Sequence, residues 1–307
     1  MKDLLTAPEA LLLDRISGIK GATSGAYNIR RNSECCERAG TKNISITPKT
    51  DRDGIDVKVL DGTKGETCHI PVIITHGGVK ETVFNDIVIG DDCDVTIVAG
   101  CGVHNCDSSE SRHDGVHTFV IGKNSRVVYT EKHYGEGDGG TVMNPQTVVY
   151  LGEGSTMQME TVQIGGVDST VRGTKIVCAA GAEAVVTERL MTHGSQTAES
   201  DMEIVLDGVD SRCRVISRSV AKDGSQQRFC PRVVGNAPCF GHVQCDSIIM
   251  GEARISSVPE IAANCTDAQL VHEAAIGRIA GDQLLKLQTL GLTSEEAEDR
   301  ILKGFLA

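Results

Sequence analysis

Through the middle of the chain one frame recurs: two or more apolar residues, a glycine, about four polar or small residues, then an alternating apolar run. It is seen in IVIGDDCDVTIV, FVIGKNSRVVY, VVYLGEGSTMQM, VCAAGAEAVV, IVLDGVDSRCRV and, more loosely, SIIMGEARISSV, with marker glycines Gly90, Gly122, Gly152, Gly181, Gly208 and Gly251. A period near 30 residues that carries two short strands about a glycine turn predicts a stacked β-solenoid, in which each coil buries its apolar face only against its neighbours. Val, Ile and Thr dominate these runs, and no 3.6-residue period of helical length is sustained between residues 50 and 260. The competing arrangement, an antiparallel sandwich, calls for strands 8 to 12 residues apart joined by hairpin turns, which fits the spacing less well.

The two ends follow another period. LTAPEALLLDRIS, residues 5 to 17, predicts a helix with Thr6 as cap, Pro8 in the first turn and apolar residues on one face. After Asp267 the pattern predicts a helical tail: GDQLLKLQTLG is a short helix closed by Gly291, and Thr293 with Glu296 forms a capping box that opens a second helix ending near Gly304. Leu290, Leu292, Ala297, Ile301, Leu302, Phe305 and Leu306 are too many apolar residues for this tail to hide alone, so they pack on the end of the solenoid or on a partner. The expected organisation is a helical segment at 1–25, a mainly β solenoid core at 26–264 and a helical region at 265–307.

Composition narrows the function. The 307 residues carry 30 Lys+Arg against 42 Asp+Glu, a net charge of −12, with no basic run, which argues against nucleic-acid binding. No stretch reaches 18 uninterrupted apolar residues and acids interrupt the first segment, so the expectation is a cytoplasmic chain with no membrane contact. Four Tyr, five Phe and no Trp suit a narrow coil interior. They also weigh against a β-helix enzyme acting on polysaccharide, which stacks sugars on aromatic rings. Twelve cysteines are too sparse for a disulfide scaffold and are expected to be thiols, most of them buried.

No phosphate-binding G-x-x-x-x-G-K-[ST], dinucleotide G-x-G-x-x-G, G-x-S-x-G or H-E-x-x-H motif is present, so this chain is expected neither to bind nor to hydrolyse nucleotide, and to be no enzyme in its own right. C-x-x-C is also absent, and the adjacent Cys35 and Cys36 are poorly placed to chelate one metal. Two constellations remain. AGCGVHNCDSSESRHDGVH places Cys101, His104, Cys106, His113 and His117 within 17 residues, with His133 just beyond, a density of thiol and imidazole that suits zinc or iron. The alternative is interior thiols and loop imidazoles with no metal. The second constellation is Cys230, Cys239, His242 and Cys245, followed by His272 and Glu273. Cys245 and His272 are close to one period apart, a spacing that permits contact on adjacent coils and chemistry toward sulfur and iron.

Around this second constellation the sequence resembles the SufB/SufD family, core components of the SUF iron–sulfur cluster assembly machinery. The matching segments are SRSVAKDGSQQRF, GNAPCFGHVQCDSIIMG, VPEIAANCTDAQLVHEAAIGRI and DQLLKLQTLGLTSEEAEDRILKGF, roughly the last 100 residues. HDGVHTFVIGKNSRVVYTEKHYGEG and TERLMTHGSQTAESD are similar to the short, single-subunit SufB-like form. The resemblance implies a right-handed parallel β-helix with a C-terminal helical region on which an ABC-type ATPase, SufC, docks through residues 281–307. It implies a scaffold for a transient iron–sulfur cluster, served by a sulfur donor and relieved by acceptor proteins. By motif, Cys245 matches the cysteine that carries sulfur and the nascent cluster, Glu273 the glutamate needed for assembly, and His272 the histidine that SufD supplies. Both in one chain imply a homodimer in which Cys245 of one subunit faces His272 of the other. Val271 stands where many SufB proteins carry a further glutamate. A subunit of an ABC transporter complex is the remaining alternative, and it requires a separate membrane subunit.

Overall fold

The computed structural model describes residues 5–20, 25–107, 109–137 and 139–307. Within them the repeated frame is a parallel β-solenoid of about eight turns, with one helix before it and two after it. Each turn gives a strand to each of two sheets. The first sheet stacks Lys64–Ile74, Asp94–His104, Arg126–Glu136, Thr156–Gln163, Glu183–Thr192, Ser211–Ala221, Cys239–Ile249 and Ala268–Gly277, and the second takes the strands between them. Lys64 pairs with Asp94, Asp94 with Arg126, Arg126 with Thr156 and Thr156 with Glu183, so a residue lies beside the one a turn away. This is the 30-residue period of the sequence made physical.

Strand alternation sends every second residue into the lumen. Ile97, Tyr129, Met159, Val186, Val215 and Val243 form one such inward row, each in register with the next and each buried. Cys68, Cys93, Cys178, Cys213, Cys239 and Cys245 pack in the same core, and all twelve cysteines are free thiols. The marker glycines divide into two roles. A Cβ on Gly122 would meet the Gly90 carbonyl oxygen at 2.6 Å and one on Gly152 the Ile121 carbonyl at 2.7 Å, so these glycines let successive turns stack. Gly181 and Gly251 instead hold φ of 65°, where side chains are strained.

The helix Ala7–Ser17 starts at a Thr6–Glu9 capping box, and Gly18 in the left-handed region follows it. Its Leu12 and Ile16 lie against Gly100 and Gly102, whose missing side chains open the outer face of the first sheet. At the N-terminal end Glu34–Ala39 pairs antiparallel with Ala26–Arg31 in the first sheet and Ile44–Pro48 antiparallel with Gly54–Val59 in the second, and these reversed strands close the stack. The C-terminal end differs from expectation. Ala268–Gly277 is not part of the helical tail but a further strand, because Gln269, Val271 and Glu273 alternate outward with Leu270 and His272 inward, a period of two. Helices occupy Gly281–Thr289 and Ser294–Leu306, the second opened by the Thr293–Glu296 capping box, with Gly291 between them at φ 96°.

The stacking role of glycine gives a stability prediction. Gly122→Ala inserts a methyl into the neighbouring turn and lowers stability by about 2 kcal/mol, whereas Gly62→Ala, at φ 71° with open space around it, costs about 1 kcal/mol of backbone strain. Urea unfolding midpoints of the two variants check the order.

Candidate functional site

Cys239–Ile249 and Ala268–Gly277 are the last two strands of the first sheet, paired so that Val243 faces His272, Gln244 faces Glu273 and Cys245 faces Ala274. Strand alternation then sorts the predicted residues onto two faces. Cys245 and His272 point into the lumen, with Cys245 Sγ 3.5 Å from His272 Nε2. His242 and Glu273 point outward, with His242 Nε2 3.3 Å from Glu273 Oε2. The two pairs thus stand back to back across one sheet, and the thiol and imidazole meet within a single chain.

Their exposures differ as sharply. Cys245 is buried at 3% and the Glu273 side chain is 64% exposed. Burial pushes the Cys245 thiol up to about 12, with the Glu188 and Asp246 carboxylates adding to it and the Ser257 hydroxyl offsetting only part. Burial, helped by His242, pushes the His272 imidazole below its ordinary value. At neutral pH the pair is therefore a thiol beside a neutral imidazole, and the thiol must lose its proton before it can act as a nucleophile or a ligand.

Behind Cys245 lies a small chamber lined by Glu188, Ser200, Ser217, Ser247 and Ser257 together with the apolar Leu190, Phe229 and Ile255. Glu188 pairs in register with Ser217, and Ser217 with Cys245, so one inward row carries all three. Ser200 Oγ donates to Glu188 Oε1 at 2.9 Å and Ser217 Oγ to Glu188 Oε2 at 3.2 Å. Sequence reasoning missed Glu188 and Ser217. The signal was available, since they precede Cys245 by two turns and one turn of the same repeat.

The first constellation separates into two places. His104 and Cys106 form a pair at the end of a strand, with Cys106 Sγ exposed and 3.0 Å from His104 Nε2. Cys101, His113 and His117 are buried and line an internal void together with His133 and with Glu131, which the sequence did not single out. Of the remaining cysteines, Cys239 is core, while Cys230 is half-buried on the outer face beside Arg228 and Asp201. Among the described residues no group of three or more His, Cys, Asp or Glu is arranged as a metal-ligand set. Nor is any helix among them long and apolar enough to cross a membrane.

Two surfaces adjoin the Cys245 site. Ala268–Gly277 ends the order of the first sheet, so one side of its backbone is an open pairing edge, with Val271 and Ile276 exposed. The terminal helix packs Leu302 and Leu306 on Val220 and Ile248, on the outer face of the strands that carry Ser217 and Cys245, and Arg218 Nη1 donates to the carbonyl oxygens of Phe305 and Ala307. The helix Gly281–Thr289 buries nothing. Leu285 and Leu290 are 61% and 74% exposed.

A two-sheet solenoid with a thiol–imidazole pair in its last coil and helices against the same strands defines the class of the molecule. A family model described as SUF system FeS cluster assembly, SufBD core domain, matches residues 75–305, and the chain belongs to that family. It is similar to an iron–sulfur cluster assembly SufBD family protein of Methanothermobacter thermautotrophicus, 28% identical over 233 residues, which cover 75% of this chain and 56% of that relative. The protein of the same description from Methanocaldococcus jannaschii is 26% identical over 291 residues, covering 92% of this chain and 90% of the relative. One from Pyrococcus horikoshii is 26% identical over 262 residues, covering 82% and 77%. The chain thus spans little more than half of the Methanothermobacter relative but nearly all of the Methanocaldococcus one.

The thiol's environment sets a pH dependence. Cys68, Cys178, Cys213 and Cys245 are each pushed by burial from an ordinary value of 9.0 to about 12. Above pH 9 the unfolded chain loses these protons while the folded one keeps them, so stability is complete below pH 9 and falls as pH rises toward 12. Urea midpoints between pH 8 and 10.5 check this. Alkylation of Cys245 at pH 8, followed by mass spectrometry, is expected to run at least ~100-fold slower than that of exposed Cys106, given about tenfold less thiolate per unit of pKa.

Proposed function

We propose that this chain is a scaffold on which an iron–sulfur cluster is built for a short time and from which it is passed to acceptor proteins. Membership of the SufBD family supports the cluster chemistry, and the single observation that carries the site is the 3.5 Å approach of Cys245 Sγ to His272 Nε2 in the last coil. The cluster is cargo. Iron needs a thiolate, and His272 Nε2 is the base within reach of the thiol proton. Proton transfer alone is unfavourable while Cys245 stays buried, so loading requires the last coil to open to water or to iron. Glu273, on the outer face with His242, meets cargo only at the rim of the coil or across a seam with a second subunit. We place that seam at the open edge of Ala268–Gly277, where a second copy of the strand would continue the sheet in a homodimer.

The opening force would come from an ABC-type ATPase of the SufC kind docked on residues 281–307. Leu285 and Leu290 provide an apolar surface that none of the described residues covers, and the neighbouring helix touches Ile248 on the strand of Cys245. A pull on the helices therefore acts on the strand that holds the thiol. In this reading the chain performs no nucleotide chemistry of its own and works in the cytoplasm.

Two tests follow. Anaerobic reconstitution with iron and sulfide gives thiolate-to-iron absorption in the wild type that Cys245→Ala abolishes and Glu273→Ala reduces; equal absorption in all three proteins removes the site assignment. Leu285→Ser with Leu290→Ser leaves the fold intact by circular dichroism and lowers co-purification of the ATPase by tenfold or more, while undiminished capture moves the docking surface elsewhere.

A further inference from the structure

The chamber behind Cys245 is lined by hydrogen-bond acceptors that lack a donor. Gln227, only 6% exposed, lines it, and its Nε2 donates to Thr192 Oγ1 and to the Val220 carbonyl oxygen, both at 2.9 Å. Both amide hydrogens are thereby spent, and the buried Oε1 has no partner among the described residues.

Ser217 reaches the same condition by another route. Its hydroxyl hydrogen goes to Glu188 Oε2 at 3.2 Å, as that of Ser200 goes to Oε1 at 2.9 Å, so the Ser217 lone pairs stay free. Glu188 is held in turn by Arg172, whose Nε lies 3.8 Å from Oε1. Ser257 Oγ, buried in the same lining, meets only the Cys245 thiol among the described residues.

One small group that carries a hydrogen satisfies this set. The space is about 10 Å³, enough for a single atom the size of a water oxygen. Two observations favour sulfur over water. Cys245 is itself part of the lining, in register with Ser217, so an atom bonded to Sγ at about 2.05 Å enters the chamber without crossing its wall. Leu190, Phe229 and Ile255 complete that wall, and a polarisable atom packs on aromatic and aliphatic carbon better than water does.

We propose that the chamber seats the outer sulfur of a hydropersulfide on Cys245, its S–H directed to Gln227 Oε1 and to the Ser217 and Ser257 hydroxyls, with Glu188 orienting the serines. The proposal rests on the reading of Cys245 as the sulfur carrier. Sulfur arrives by exchange when the coil opens: the Cys245 sulfur attacks the outer sulfur of a donor hydropersulfide, R–S–SH, and the donor S–S bond breaks as the new one forms. The leaving R–S⁻ takes the proton that Cys245 gave up, so the products are Cys245–S–SH and R–SH with no net oxidation or reduction. A persulfide anion is disfavoured in the closed chamber, because Glu188 stands beside it and the serine hydrogens are committed. Closure thus holds the sulfur in its protonated form, away from the thiols that would strip it.

The test is anaerobic incubation of the full chain with cysteine hydropersulfide, then brief treatment with excess thiol and peptide mass spectrometry for a retained sulfur atom. One sulfur is expected on Cys245, while exposed Cys106 is stripped about tenfold faster or more and Cys213, buried in the apolar core, is not loaded. Ser217→Thr keeps the hydroxyl and adds a methyl to the chamber, and is expected to lower retention on Cys245 by about tenfold. Ser257→Ala, which removes a hydroxyl without filling space, lowers it less, and decides the matter if Ser217→Thr does not fold by circular dichroism. No sulfur on Cys245, meaning a chamber that holds water only, overturns the proposal, as does equal loading of Cys213 or retention that neither substitution changes. Retained sulfur with failed cluster reconstitution sinks the scaffold reading and leaves the chamber standing; normal reconstitution without retained sulfur does the reverse.

Discussion

The governing constraint is parallel, in-register stacking. Each turn sets its backbone against the previous one, so a residue's lateral neighbours are fixed by position one period away, and its direction, lumen or solvent, by parity. Everything chemical in this molecule follows from these two rules. Cys245 reaches His272 because they sit on adjoining inward rows. Glu273 misses the thiol because it is one residue further on and therefore faces out. Residues adjacent in sequence, His272 and Glu273, are thus divided between the two faces of one sheet.

A tube built this way has little volume, and polar groups within it cannot be solvated by bulk water. The inward row Ala99, Glu131, Thr161, Glu188, Ser217, Cys245 is polar over most of its length, directly beside the wholly apolar row that begins at Ile97. Burial works against the Glu131 carboxylate, yet Arg172 and the two imidazoles outweigh it and hold its pKa well below the usual carboxylate range. Such a row costs stability relative to hydrocarbon of the same shape. The row runs over several turns and ends at Cys245, whose thiol lies beside His272 of the edge strand.

Much of this was legible in the sequence, for reasons that can be named. The solenoid was, because stacked turns demand glycine where backbones meet, at Gly90, Gly122 and Gly152, and the demand repeats with the turn. The capping boxes at Thr6 and Thr293 were, because a cap is local chemistry. Ala268–Gly277 reads as part of a helical tail in the sequence because its alternation is short and its alanines suit either state, and only the neighbouring strand decides. The scattered histidines could be counted but not assembled: His113 and His133 belong to different sheets, and the lumen that unites them, with Glu131 and Arg172, is a property of the closed coil.

The two ends of the stack are unlike. At the start, reversed strands with Pro48 and the charged Glu34, Glu37 and Arg38 blunt the sheet margins. At the finish, the margin is bare. Among the described residues one end of the rod is thus blunted and the other open, and union through the open ends alone would stop at two copies, whereas a rod open at both ends would add copies without limit.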